Sequence, residues 1–543
     1  MWYALVQQFK YWFRPTKMTN ENTNTDAQTD GGTVSREEAS FVEYGIDDKP
    51  PIGESVVLGI QHYLTMIGAT VAIPLILAGA MEMPATETAR LVGTFFVVSG
   101  IATLAQTTIG NRYPIVQGGT FALLAPALAV IGALGAQGVG WEVTILELQG
   151  AIIASAIVQV FIGYLGLMGR LKRFLSPVVI APVIVLIGLS LISVADVTRP
   201  DQNWWLLGLT LFLIILFSQY LDQYSRYAKL FPVLLGIAIA WIVAGVLTAA
   251  GVYTSESHAE LGYIDVGLVT EAPLIQPVMP FQWGIPEFTL AFAVGVFAGV
   301  IASMVESIGD YFAVARISGV GAPSEKRINH GIGMEGIGNI FAGIMGTGNG
   351  STSYGENIGA IGITGVASRY VVQIGALVML IVGFFGPFGA LITTIPGPIV
   401  GALYIAMFGQ IAAVGLSNLK YVDLDASRNV FIIGIALFLG LAIPVYMENV
   451  GGAAEFQEIA EGAAVIGPIL GQQIVSDTIF VIGSTTMAIG GAVAFVLDNT
   501  IRGTPEERGV TQWEELAEDE SEFVTYHERL LSDNDSLPVD KAD

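Results

Sequence analysis

The chain has 543 residues, of which 53% are hydrophobic and only 13% charged, and it carries a net charge of −24 with no cysteine. A soluble protein carries about 25% charged residues, so most of this chain avoids water. The missing cysteines exclude disulfides, thiol catalysis and Cys-based metal sites, the four His are too few for a His-rich site, and the acidic balance argues against nucleic acid as a partner. No cofactor is expected.

Residues 1–51 read as a polar, disordered tail. Within it, Met1–Phe13 is aromatic and amphipathic but too short to span a bilayer, which suits an interfacial anchor; Met18 heads the polar run as an alternative start. From Val56 to Val496, apolar stretches of bilayer-spanning length recur. The first seven are expected over 54–77, 89–109, 114–133, 148–168, 174–195, 204–221 and 230–250. A second seven are expected over 288–315, 329–345, 350–365, 368–386, 395–416, 427–446 and 477–497. An acidic tail follows, and 31 of the 47 acidic residues lie in 1–50, 251–288, 447–477 and 502–543, as a solvated surface requires.

Charge sets the orientation, because Lys and Arg favour the cytoplasmic side. With both termini inside, 21 of 23 Lys and Arg fall there, and only Arg90 and Arg199 do not. The expected outer loops 251–288 and 447–477 contain none. Seven is odd, so the second half enters the membrane inverted. Inverted repeats are a transporter signature, with the ligand bound near the midplane where helices break.

The third span of each half is broken. One contains Tyr113-Pro114-Ile115-Val116-Gln117-Gly118-Gly119-Thr120 before a helix starts at Phe121. The other contains Gly346-Thr347-Gly348-Asn349-Gly350-Ser351-Thr352-Ser353-Tyr354-Gly355 before Glu356. Non-helical backbone at membrane depth survives only when buried in protein or lining a cavity. The two extended pieces are placed to pair with each other, each handing over to a half-helix whose N-terminal N–H groups face a polar ligand.

Span eight carries Glu306 and Asp310, four residues apart and so on one helical face. An ionisable group at the bilayer centre costs about 2.5–3.5 kcal/mol. Two like charges so close in low dielectric resist joint ionisation, which is the chemistry of a group that loads and unloads a proton. Asp310 is open to a second role, tying helices together. Glu356 supplies a third carboxylate. Gln61, His62 and Asn357 add polar groups within spans, and Glu335 in span nine ranks below them.

Glu356-Asn357-Ile358-Gly359-Ala360-Ile361-Gly362-Ile363-Thr364-Gly365 resembles the signature of the nucleobase–ascorbate transporter family. Gln61-His62, Gly119-Thr120-Phe121 and Glu306-Ser307-Ile308-Gly309-Asp310-Tyr311 agree with it in order, so the resemblance covers about residues 52–498. It implies an all-α polytopic fold of two inverted seven-span repeats. A core domain would comprise 52–168 and 288–386, and a gate domain 169–252 and 387–498. An outer loop over 253–287 and a cytoplasmic tail over 499–543 complete the layout. It implies a homodimer in the plasma membrane that moves a nucleobase together with H+ or Na+. In this reading Glu306, Glu356 and Asn357 bind the base with backbone groups at Phe121 and Gly355, and Asp310 and His62 serve ion coupling.

Glu at 356 is similar to uracil-type members, where purine-type members usually carry Gln and ascorbate-type members Pro. Gly365-Val366-Ala367-Ser368-Arg369 is instead similar to xanthine-type sequences, and Asp310 stands where bacterial uracil-type members often have His. Uracil is the first expectation and xanthine or another purine the next, with ascorbate or another small organic solute as the alternative. Two acidic groups would repel an anion. An intramembrane carboxylate protease would need two Asp on separate helices, whereas the obvious pair here is Glu306 and Glu356.

Overall fold

The computed structural model describes residues 42–168, 174–192, 194–253, 262–510, 523–525 and 528–529. Met1–Phe13, Met18 and most of the expected N-terminal tail lie outside the described residues. The described chain is helical, with one two-stranded sheet.

Helices α1 (Ile52–Ala80) and α2 (Ala85–Thr108) lead to a short strand, β1 (Gln117–Gly118), then a 3-10 turn at Phe121–Leu123 and α3 (Leu124–Gly135). There follow α4 (Trp141–Tyr164), α5 (Pro177–Ser190), α6 (Trp204–Ile215) and α7 (Pro232–Ala249). The second half contains α8 (Leu290–Ile317), α9 (Glu325–Met345), β2 (Thr352–Ser353), α10 (Gly355–Thr364) and α11 (Arg369–Phe384). It closes with α12 (Gly397–Asn418), α13 (Ser427–Val450), α14 (Gln473–Gly483) and α15 (Thr486–Thr500).

Among the described residues, seven helices, α1, α2, α4, α7, α8, α12 and α13, are long and apolar enough to cross a membrane, so this is a multi-pass membrane protein. The span expected over 477–497 is not one straight helix. α14 and α15 meet at 92°, with Gly483 and Ser484 at the break, and Gly/Ser pairs are among the usual causes of sharp kinks. The third and tenth spans are half-helices. Their 12 and 10 helical residues rise only about 18 and 15 Å of a hydrocarbon core about 30 Å thick.

Local chemistry sets the helix ends around these breaks. Ser324 accepts a hydrogen bond from the Arg327 N–H at 3.2 Å and caps α9. α9 stops at Gly346, whose φ of +81° suits a residue without a Cβ. Ser368 caps α11 in the same way through the Val371 N–H, at 3.2 Å.

The helices pack in two sets. α9 and α8 lie on α4, and α11 lies on α2 and α1; separately, α12 lies on α5, α15 on α13 and α5, and α7 on α6. Lipid offers no hydrophobic drive between helices, so close backbone approach does the work. A Cβ at Gly59 of α1 would lie 2.7 Å from the Gly375 backbone nitrogen of α11, so only glycine permits this contact. α7 and α13 bury least and turn Ile242, Val246, Phe431, Phe438 and Val445 outward, as lipid-facing surfaces do.

Both terminal regions are partly held on the bundle. Residues 42–50 fall within the tail expected to be disordered, but Tyr44 bridges Val366 and the Asp47 carboxylate meets Arg369 at 2.6 Å. Burial disfavours the charge on Asp47, yet Arg369 and Arg112 outweigh it and hold the carboxyl below its usual range. In the expected acidic tail, Phe523 is buried and Glu528 pairs with Lys326 at 2.8 Å. The Arg327 guanidinium lies 4.5 Å from the Tyr113 ring centre and 4.9 Å from that of Phe523.

Candidate functional site

The two broken segments form one unit. β1 and β2 pair antiparallel, Gln117 opposite Ser353 and Gly118 opposite Thr352. Non-helical backbone at this depth needs partners that water would otherwise supply, and side chains of neighbouring elements supply them. Thr103 of α2 accepts from the Gln117 N–H at 2.8 Å. Asn349 accepts from the Thr120 N–H at 2.8 Å and donates to its carbonyl at 3.2 Å. The Tyr354 hydroxyl donates to the Gly119 carbonyl at 2.7 Å. The sheet is thereby fixed, and with it the starting points of α3 and α10.

A cavity of about 810 Å³ lies against this unit, with Glu306 and Asp310 of α8 and Gly355 and Glu356 of α10 on one wall. Met407 and Gln410 of α12 and Ile180 and Ile184 of α5 face them from the other helix set. Gly355 is exposed to the cavity and Glu356 sits in the first turn of α10, so this wall offers carboxylate acceptors beside the free N–H groups of a helix start. Asp310 lies close to that start: a Cβ on Gly355 would be 3.3 Å from Asp310 Oδ1. Glu306 Oε2 and Asp310 Oδ2 have no hydrogen-bond partner among the described residues. Such a wall can hold a small ring with N–H donors next to carbonyl acceptors.

Behind Asp310 runs a polar chain in which Glu335 is more central than its sequence rank suggested. Ser353 lies near Asp310 and donates to Ser307 at 2.9 Å. Ser307 is 2.5 Å from Glu335 Oε2, and Gln159 and Ser303 each donate to Glu335 Oε1 at 3.2 Å. The Tyr311 hydroxyl is 3.5 Å from the same carboxylate. Sequence alone offered one hint, a carboxylate inside an apolar span; its serine partners are on α8 and its glutamine partner on α4.

Phe121, Asn357 and His62 are not on the cavity wall. Phe121 is buried and meets Phe408 of α12 edge-on at 5.9 Å, and Phe408 stacks on Tyr404 at 5.6 Å. Asn357 is fully buried and clasps the first broken segment: it accepts from the Val116 N–H at 3.0 Å and donates to the Pro114 carbonyl at 3.1 Å. Its Nδ2 is also 3.3 Å from His62 Nδ1. From its carboxylate wall the cavity runs to an end where Lys229, Arg316 and Lys420 line it.

Residues 53–449 match the Permease family (Xan_ur_permease). The chain is similar to Solute carrier family 23 member 2 of Mus musculus, 41% identical over 510 residues that cover 87% of this chain and 76% of that protein. It is also similar to Nucleobase-ascorbate transporter 1 of Arabidopsis thaliana, 34% identical over 494 residues covering 88% of this chain and 93% of that one. Among solved structures, the transmembrane domain of a cyanobacterium bicarbonate transporter, BicA, aligns with a TM-score of 0.50 and 16% identity, covering 73% of this chain and 97% of that one. At that identity the likeness speaks for the fold alone.

Proposed function

The chain belongs to the Permease family of nucleobase–ascorbate transporters, and we propose that it imports a nucleobase, uracil first and xanthine or another purine next, by symport with H+ or Na+. It is a transporter and not an enzyme, since the relatives are named as transporters. The observation that carries the proposal is the single wall bearing Glu306, Glu356 and the exposed start of α10 at Gly355. Ring N–H groups of a base donate to the carboxylates, and its carbonyls accept from the helix start.

In this reading the set containing α1–α4 and α8–α11 is the core and the set containing α5–α7 and α12–α15 the gate. The core carries the base past the gate by alternating access, in a homodimer of the plasma membrane with both termini cytoplasmic. Asp310, between the α10 start and the Ser353–Ser307–Glu335 chain, loads the coupled cation. The Asn357–His62 pair supports the site by fixing the first broken segment.

Ascorbate is the second reading, because the name of the plant relative carries both solute classes. The carboxylate wall disfavours an anion there. Labelled uracil, xanthine and ascorbate, offered to proteoliposomes with proton and sodium gradients imposed separately, decide among these. Uptake of ascorbate but of no base would overturn the proposal.

A further inference from the structure

The site cavity is larger than a lone base requires, and its two ends differ in charge. At about 810 Å³ it lies in the range used for drug-sized ligands. One wall holds Glu306 and Glu356, and the far end holds Lys229, Arg316 and Lys420. These cations come from three separate elements: the helix Arg226–Leu230, the last turn of α8, and the 3-10 turn after α12. Arg316 and Lys420 both lie beside the Tyr421 hydroxyl, and Lys420 Nζ is 4.8 Å from the centre of the Tyr421 ring.

A general excess of Lys and Arg on one membrane side accounts for cations at this end; what sets Lys229, Arg316 and Lys420 apart is that all three line one cavity. Lys326, Arg369, Arg428 and Arg508 on the bundle each pair with a carboxylate. Lys229, Arg316 and Lys420 are exposed, and none has a carboxylate partner among the described residues. Clustered donors of this kind recognise a phosphate. Along α8 the ten residues from Glu306 to Arg316 rise about 15 Å. That is too far for a single base to bridge, and of the order that base, ribose and phosphate cover together.

Building on the nucleobase reading, we propose that this cavity also binds a nucleoside 5′-monophosphate from the cation-lined end, with the base at Glu306 and Glu356 and the phosphate among Lys229, Arg316 and Lys420. The nucleotide is a blocker and not a cargo. Its phosphate ties Arg316 of α8, on the set that carries the carboxylate wall, to Lys229 and Lys420 on the other set, so the wall cannot move past the gate. The transporter would then slow when the nucleotide made from its imported base accumulates on that side.

The test uses the purified full chain in detergent. Displacement of a labelled base is measured with the matching nucleoside, its 5′-monophosphate and inorganic phosphate, in the parent and in K229Q, R316Q and K420Q, singly and combined. The monophosphate is expected to compete at least about tenfold better than the nucleoside. That advantage should shrink about tenfold in the combined variant and at high salt, with base affinity held within about twofold. Base binding with no advantage for the monophosphate, or an advantage untouched by both the variants and salt, overturns this inference and leaves the base site standing. Failure of every base to bind overturns the base reading, and this inference with it. The salt series on the parent chain decides the matter even where a variant fails to fold. A parallel series with added anionic lipid separates a headgroup from a nucleotide: lipid that matches the monophosphate in displacing the base counts against the proposal.

Discussion

Replacing Asn357 with Ala separates a clamp from a ligand contact. Asn357 is fully buried, and its side chain satisfies the Val116 N–H at 3.0 Å and the Pro114 carbonyl at 3.1 Å. Removing it leaves a buried donor and a buried acceptor unmet, and each such group costs about 1–3 kcal/mol. The Pro114 carbonyl can recruit another donor more easily than the Val116 N–H can find a new acceptor. The expected loss is therefore about 3 kcal/mol, centred on Val116. Thermal unfolding of the purified chain, followed by intrinsic fluorescence, gives the stability, and base binding is measured well below the transition. Asn357→Ala should unfold earlier while its affinity, where folded, stays within about threefold. Unchanged thermal stability with a tenfold or greater loss of affinity would refute the clamp and place Asn357 against the ligand.

Three other outcomes are expected. Glu306→Ala should weaken base binding by about 10–100-fold without loss of fold, because a hydrogen bond to a charged group contributes about 1.5–3 kcal/mol; unchanged affinity in a folded variant would remove Glu306 from the site. Asp310→Asn should still bind base and perform exchange but lose accumulation driven by the coupled gradient; normal pH- and sodium-driven accumulation would end the coupling role, and parallel loss of expression, binding and exchange would favour a helix tie. The third concerns pH: the hydrogen bond from Lys326 and those from Thr525 hold the Glu528 carboxyl down at about 2, from an ordinary 4.5. A lowered carboxylate value stabilises docking above the ordinary value and loses that contribution as pH falls through the shifted one. Residues 523–525 and 528–529 should thus stay protected from hydrogen exchange above about pH 4.5 and lose protection toward about pH 2, and Lys326→Ala should reduce protection at neutral pH; equal protection in both proteins across that range would refute it.

Much of this protein was legible in one dimension because a bilayer imposes rules that act residue by residue. Spanning length and the absence of charge from spans need no knowledge of packing. The polar runs 113–120 and 346–355 likewise declared themselves, since non-helical backbone at membrane depth demands a buried partner, and β1 with β2 is that partnership. The i,i+4 spacing of Glu306 and Asp310 put both on one helical face before any fold was known.

Contacts between distant elements were decided only by the tertiary structure. Asn357 and Phe121 lie in motifs that suggest ligand contact, yet one clasps Val116 and Pro114 and the other packs on Phe408. Their roles depend on which way a side chain turns once α10, α3 and α12 have met. Glu335 ranked low because Ser303 and Ser307 of α8 and Gln159 of α4 become its partners only when those helices lie together. The cations at the cavity mouth are nearly 200 residues apart along the chain between Lys229 and Lys420. Periodicity, charge and length are properties of a segment, but a site is a property of the space between segments, and only packing creates that space.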